Sequence, residues 1–369
     1  MTRAVLIAAK SLWAGGHPQG HPLRPERLEN TWEMMQAYQS LNGSQVKIVP
    51  PRLPSIEELM TFHTPDYVAA VRQLSQGEDD IDSHRYGFGP GDNPIFAGMF
   101  ESEALKVGGS LIGAELLLNE AADVVFNFAG GLHHAGPDVA SGFCVFGDGV
   151  IAIKRLLAAG KRVVYIDIDA HHGDGVQTAF YNDPRVLTIS FHESGLYLFP
   201  RTGFIEELGE DDGQGYTVNV PLLPFTDDDT FIWAFEELVP RLVERFAPDV
   251  LVTQLGADAH WRDRLTDLCL TTYSVEVVCE RLKNMALPWL VLGGGGYEAS
   301  VVPRVWTLAW GIMSEQTLAN ELPPELAAKY DLPYLRDDEP APVTAVQYQL
   351  AQSEAAMVVA RLKTLLKLR

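Results

Sequence analysis

The sequence predicts an α/β fold: a single domain on an open, mainly parallel β-sheet with helices on both faces. Three observations lead there. Short β-branched apolar runs alternate with longer stretches of helical periodicity almost from end to end, the pattern of repeated βαβ units. Some of these runs, Val163 to Ile166 and Leu290 to Leu292, are continuously apolar, as strands buried on both faces require. The chain has 369 residues, 47% hydrophobic and 21% charged, which is enough to cover a large sheet on both sides.

In chain order, strands are expected at 4–9, 46–49, 123–128, 162–167, 186–191, 250–255 and 287–292. Helical periodicity falls at 27–41, 103–118, 149–159, 228–246, 275–285 and 299–312. Acidic clusters at 78–82, 206–212, 227–229 and 337–339 lie between elements and read as solvated loops. A composition break at 337–342 precedes a last helical pattern, in which Val343, Val346, Leu350 and Met357 keep a 3–4 spacing. That tail is expected to pack on its own domain or at an interface of a homo-oligomer.

Charge and cysteine usage exclude several classes. With 28 Lys+Arg against 49 Asp+Glu, the net charge is −21, and no basic patch is present to neutralise phosphates, so nucleic acid is not an expected partner. An acidic surface favours cationic partners at long range. The three cysteines, Cys144, Cys269 and Cys279, form no CxxC pair, which argues against a disulfide framework and for a reducing cytoplasm. The apolar stretch at 4–9 is too short for a signal-peptide core. No run approaches the roughly 18 apolar residues of a membrane span, so no membrane is expected.

Sites in open parallel sheets form beyond the carboxyl ends of strands, and four segments there carry chemistry. The first is Gly130-Gly131-Leu132-His133-His134, where a glycine pair lets the backbone bring two imidazoles to the sheet edge. The second runs Asp167-Ile168-Asp169-Ala170-His171-His172-Gly173-Asp174. Carboxylates directly behind an apolar strand are costly to desolvate without a cation. Asp167, Asp169 and His171 share one face if the chain stays extended, a mixed set suited to Zn²⁺ with an open position. The third, Gln254 to His260, places Asp258 past another apolar strand, either to complete a metal site or to cap a helix. The fourth, Gly293 to Gly296 followed by Tyr297, lacks the Lys-Ser/Thr pair of a phosphate loop. It reads instead as a tight backbone crossing that presents Tyr297.

In order, these segments resemble the zinc-dependent histone deacetylase family of the arginase/deacetylase superfamily, class I enzymes and their bacterial acetoin-utilisation relatives especially. Matching stretches are His21-Pro22-Leu23-Arg24-Pro25-Glu26-Arg27, Phe62-His63-Thr64-Pro65-Asp66-Tyr67, Gly91-Asp92-Asn93-Pro94, Ser141-Gly142-Phe143-Cys144 and Phe199-Pro200-Arg201-Thr202-Gly203. The likeness runs to about residue 330, so residues 1–335 would be the catalytic domain and 336–369 the tail. It implies one Zn²⁺ per chain on Asp169, His171 and Asp258. Asp167 would orient His133 and Asp174 would orient His134, which fixes each tautomer. It implies His134 as general base then acid, His133 as its electrostatic partner and Tyr297 as donor to the oxyanion. It also implies structural K⁺ beside Asp167, held by Ser190 and main-chain oxygens of Asp169, His171 and Phe191. A second K⁺ site would use the backbone of Phe180, Asp183, Val186 and Tyr216.

For substrate, the resemblance implies an acyl-lysine protein or peptide. Phe143 and Phe199 would wall the tunnel, Gly142 would offer its carbonyl, Asp92 would sit at the rim and Arg27 would line an exit channel. Leu265, where polyamine-selective relatives carry Glu, implies an apolar wall; acetylpolyamine hydrolysis is the alternative activity. Arg201 stands where the family's Pro-Gly-Thr-Gly has its first glycine, and Arg262 and Arg264 reshape the loop after Asp258. A binuclear manganese ureohydrolase needs Asp-x-His-x-Asp, and Gly173 occupies the fifth position.

Overall fold

The structure is a computed structural model that describes residues 2–78 and 80–368; Asp79, in the first acidic cluster, lies outside the described residues. The chain runs β1 (Ala4–Ile7), α1 (Glu26–Ala37), β2 (Val46–Val49), α2 (Ile56–Leu59), α3 (Pro65–Ser75), α4 (Met99–Leu118) and β3 (Val124–Asn127). Next come α5 (Asp148–Ala158), β4 (Val163–Asp167), α6 (Asp174–Phe180), β5 (Val186–Glu193), β6 (Thr217–Leu222), α7 (Asp228–Phe246) and β7 (Val250–Gln254). The last elements are α8 (Thr272–Asn284), β8 (Trp289–Leu292), α9 (Val302–Met313), α10 (Pro324–Tyr330) and α11 (Ala345–Leu365).

Among the described residues the strands form one sheet in the order β2-β1-β3-β8-β7-β4-β5-β6, and every pair is parallel. Strand side chains alternate between two cores. Leu6, Phe126, Ile166, Leu251 and Val291 face α1, α7, α8, α9 and α11. Ile7, Val125, Tyr165, Val252 and Leu290 face α4, α5 and α6. Both faces are therefore dry, which is why the strands read as unbroken apolar runs.

The short helices α2, α6 and α10 were not expected, and two longer omissions have a physical reason. The strand β6 was not expected; it contains Pro221 and occupies the sheet edge beside β5 only, where a missing N–H is tolerated. Helix α3 was not expected either, although its start is well signalled. Thr64 accepts from the Tyr67 N–H and Pro65 fills the first turn.

The tail forms α11, closed at its start by a reciprocal Thr344–Gln347 capping box. It packs on α7 and β6 through Ala355, Val358, Val359 and Leu362. The stripe expected to pack points outward instead: Val346, Leu350 and Met357 are 66%, 60% and 59% exposed. A long helix can carry two apolar stripes, and spacing alone does not say which one meets the core.

His63 gives the fold a pH dependence. Its ring packs between Phe62, Tyr67 and Phe146, and Nε2 accepts the Gly147 N–H at 3.0 Å. Burial lowers it to about 4, so the native state holds it neutral while the unfolded chain binds a proton near pH 6.5. Its stabilisation is full above the unfolded value and is lost as pH falls through the folded one. Between about pH 7.5 and about pH 4.5, urea unfolding of His63→Gln should lose about 2–3 kcal/mol less stability than wild type.

Candidate active site

Five loops converge at the carboxyl edge of the central strands. β4 ends at Asp167 and the chain then turns, so Asp167, Asp169 and His171 do not share the single extended face that their spacing suggests. Asp169 and His171 instead meet Asp258, which arrives from the loop after β7. No helix begins there until Thr272, so Asp258 is not a helix cap. Among the described residues this buried trio is a group able to hold a metal ion, its ligand atoms all within 4.8 Å of one another.

Each member is held from behind. His171 Nδ1 lies 3.2 Å from Asp169 Oδ1 and 2.9 Å from Asp258 Oδ2. Asp169 Oδ2 accepts from Gln254 Nε2 at 2.6 Å and from the Gly295 N–H at 2.7 Å. Asp258 Oδ1 accepts the Ala170 N–H at 2.9 Å. Burial and the neighbouring Asp169 carboxylate push Asp258 up to about 7. Two buried carboxylates side by side repel, and a cation between them removes that cost.

The histidine pair follows β3. His133 Nδ1 donates to Asp167 Oδ2 at 2.8 Å, and that oxygen also accepts the Tyr165 hydroxyl at 2.7 Å. His134 Nδ1 donates to Asp174 Oδ1 at 2.7 Å. The two Nε2 atoms are 3.0 Å apart. Against the desolvation that opposes it, Asp167 and Asp169 raise His133 to about 9. Burial and the charge of His133 lower His134 to about 4. The two adjacent rings are thus shifted in opposite directions, His133 up and His134 down.

The carboxylate that builds this loop was not found in the sequence. Asp148, wholly buried, accepts from the Gly131 N–H (3.1 Å), the Leu132 N–H (2.8 Å) and Ser110 Oγ (2.5 Å). Its only local signal is an acid at the first position of the apolar helix α5, which reads as an ordinary helix start.

The glycine run after β8 is a close backbone crossing. A Cβ at Gly295 would collide with the Asp258 carboxylate, and Gly294, at φ +123°, would collide with Gln254. Beyond it the Tyr297 N–H donates to Asp263 Oδ2 at 2.7 Å, and the Tyr297 ring meets Phe143 edge-on at 5.6 Å. Burial, then the Asp258 and Asp169 charges, hold its hydroxyl well above the usual phenol range. Asp263 was likewise not singled out in the sequence. Behind the run, Arg27 Nη1 donates to Gly294 O at 2.6 Å, and its guanidinium lies 5.1 Å from the Trp306 ring centre.

A cavity of about 20 Å³ lies between Leu132, His133, His134, Phe143, Asp169 and Tyr297, large enough for a water-sized molecule. Phe199 lies edge-on to His134 at 5.1 Å. Gly142 separates them so closely that a Cβ there would strike the His134 ring, and its carbonyl accepts the Cys144 thiol. Asp92 is exposed, with its carbonyl 3.1 Å from His21 Nε2. Leu265 is half-buried.

A model of the histone deacetylase domain matches residues 21–313. The chain belongs to the histone deacetylase family. It is 40% identical to the acetoin utilization protein AcuC of Bacillus subtilis over 338 residues, covering 89% of this chain and 87% of AcuC. It is 39% identical to human histone deacetylase 1 over 308 residues, covering 83% of this chain and 63% of the human protein. A solved deacetylase homolog from Aquifex aeolicus superposes with a TM-score of 0.87 at 30% identity, covering 96% of this chain and 99% of that one. The arginase/deacetylase fold expected from the sequence is the fold observed, although Arg201 adopts a left-handed φ of +72° where that family's motif has glycine. Its Nη1 donates to Leu196 O at 2.7 Å.

Asp167, at the end of β4, is the register partner of Ser190 within β5. Asp167 Oδ1 accepts the Asp169 N–H, and Ser190 Oγ lies 2.8 Å from His192 Nδ1. The carbonyls of Phe180, Asp183 and Tyr216 each accept a backbone N–H.

Proposed function

We propose that this deacetylase-family chain hydrolyses the amide of Nε-acyl-lysine in proteins, releasing a carboxylate and free lysine, with one Zn²⁺ on Asp169, His171 and Asp258. The observation that carries this reading is that Asp169, one member of that buried trio, lines the same small cavity as two carboxylate-backed histidines and Tyr297. Bound there, Zn²⁺ supplies Lewis acidity to the amide carbonyl and to the attacking water. His134, held neutral and aligned by Asp174, takes the proton from water and returns it to the leaving lysine amine. His133 contributes positive charge beside the reacting carbon, anchored by Asp167. Tyr297, whose hydroxyl keeps its proton, donates to the oxygen as it gains charge.

Phe143 and Phe199 would give the lysine stem apolar walls, and Leu265 would extend them. Gly142 and Asp92 offer acceptors to the peptide, and Arg27 guides the departing carboxylate. Structural K⁺ at Asp167, Asp169, His171, Ser190 and Phe191 would neutralise charge behind the trio. Three buried cysteines, free among the described residues, suit a reducing cytoplasm. Among those residues no helix is long and apolar enough to cross a membrane.

The similarity to AcuC, a protein named for acetoin utilization, supports a second reading in which the amide belongs to a small molecule such as an acetylpolyamine. Comparing an acetyl-lysine peptide with acetylspermidine at equal zinc loading decides between them. At least about tenfold higher kcat/KM on the peptide, worth about 1.4 kcal/mol, is expected. A preference for acetylspermidine would overturn the protein-substrate reading.

A further inference from the structure

We propose that Asp337, beyond the segment matched by the family model, is a positioning residue that locks the loop carrying Asp258 against the loop and helix carrying Tyr297. This reading rests on the metal site proposed above.

The Asp337 side chain is 8% exposed and meets four donors. Oδ1 accepts from Arg304 Nη1 and Nη2 at 3.0 and 3.1 Å. Oδ2 accepts from His260 Nε2 and the Thr272 N–H, both at 2.9 Å. These fill the lone-pair sites of a carboxylate. The Asp337 N–H donates to Thr272 Oγ1 at 2.9 Å, which fixes the segment itself. Burial opposes the charge, but the hydrogen bond and charge of His260, together with Arg304, hold the carboxyl well below its usual range.

The two side chains gathered here belong to different parts of the site. His260 lies in the loop that delivers Asp258, and its Nδ1 accepts the Arg262 N–H at 3.2 Å. That loop continues to Asp263, which holds the Tyr297 N–H, and to Thr266, whose hydroxyl donates to Asp258 O at 2.6 Å. Arg304 lies in α9, which follows Tyr297, and its Nε donates to Ser300 O at 2.8 Å. With its side chain 1% exposed, the guanidinium has Asp337 as its ion-pair partner among the described residues. One carboxylate therefore sets the distance between the segments that supply a proposed metal ligand and the proposed oxyanion donor. The position past residue 335, at the break that opens the sequence-defined tail, belongs functionally to the catalytic domain.

The test uses the full chain and the variants Asp337→Ala and Asp337→Glu, with His260→Ala as a second disruption that leaves the Arg304 ion pair intact. Zn²⁺ affinity of the metal-stripped protein is measured by competition with a chelating dye, and kcat and KM are measured after reloading. Positioning predicts roughly tenfold weaker Zn²⁺ binding in both alanine variants and a fall of about 10²-fold in kcat with little change in KM, with Asp337→Glu partly restored. A lowered melting temperature with wild-type Zn²⁺ affinity and wild-type kcat per folded molecule would overturn it. If Asp337→Ala does not fold, His260→Ala alone decides between these outcomes. A wild-type chain without Zn²⁺ affinity would overturn the metal site as well; unchanged affinity in the variants overturns the positioning role alone.

Discussion

Asp258→Ala is expected to leave the chain folded but unable to retain metal, with turnover lowered by at least about 10³-fold, the equivalent of about 4 kcal/mol. Asp258 is fully buried, and its two oxygens face the Ala170 N–H and the His171 ring. Its removal takes away one of three converging ligands and releases His171 from one of its two carboxylate partners. Without metal, burial beside Asp169 raises Asp258, so its ionised form opposes folding as pH climbs from the unfolded carboxylate value toward about 7. The metal-free variant should therefore be at least as stable as the metal-free wild type at neutral pH. Elemental analysis after gel filtration, with thermal melts of both stripped proteins, checks the two halves of this expectation. Stoichiometric zinc in the variant would remove Asp258 from the ligand set.

Tyr297→Phe should separate binding from chemistry. The substitution keeps the ring against Phe143 and the backbone bond to Asp263, so metal content and KM should stay close to wild type. Its loss is one hydrogen bond to an oxygen that becomes anionic only during reaction. Removing such a donor lowers kcat by about 10²–10³-fold, or about 2.7–4 kcal/mol. The hydroxyl is suited to the task because burial and the adjacent carboxylates keep it protonated. Equal turnover by the phenylalanine variant on an acetyl-lysine peptide would assign the oxyanion contact elsewhere.

The readable residues are those whose role is written into local pattern. Asp169, His171 and Asp258 sit just past strands that announce themselves by apolar runs, and Tyr297 follows a glycine run that leaves space for little else. The residues that hold them are less visible because their partners are distant in sequence. Asp148 meets Leu132 across 16 positions, Asp263 meets Tyr297 across 34, and Gln254 meets Asp169 across 85. Nothing within a few residues of Asp148 distinguishes a buried acceptor from a helix start. The strand β6 and the outward stripe of α11 follow the same logic. Proline content and 3–4 spacing describe what a segment can bury, and its position in the sheet decides what it does bury.

The strand order has a consequence for how the molecule is made. β8 lies between β3 and β7, yet it is the last strand along the chain. Until residues 289–292 emerge and insert, β2-β1-β3 and β7-β4-β5-β6 are two separate ribbons with unpaired inner edges. The His133–His134 pair belongs to one ribbon and the trio Asp169, His171 and Asp258 to the other. The final strand is thus the keystone of the sheet, and its insertion joins the two halves of the active site. Contacts this far apart in sequence form slowly, so catalytic competence should appear at the end of folding, and a nascent chain shorter than β8 carries open strand edges that invite association.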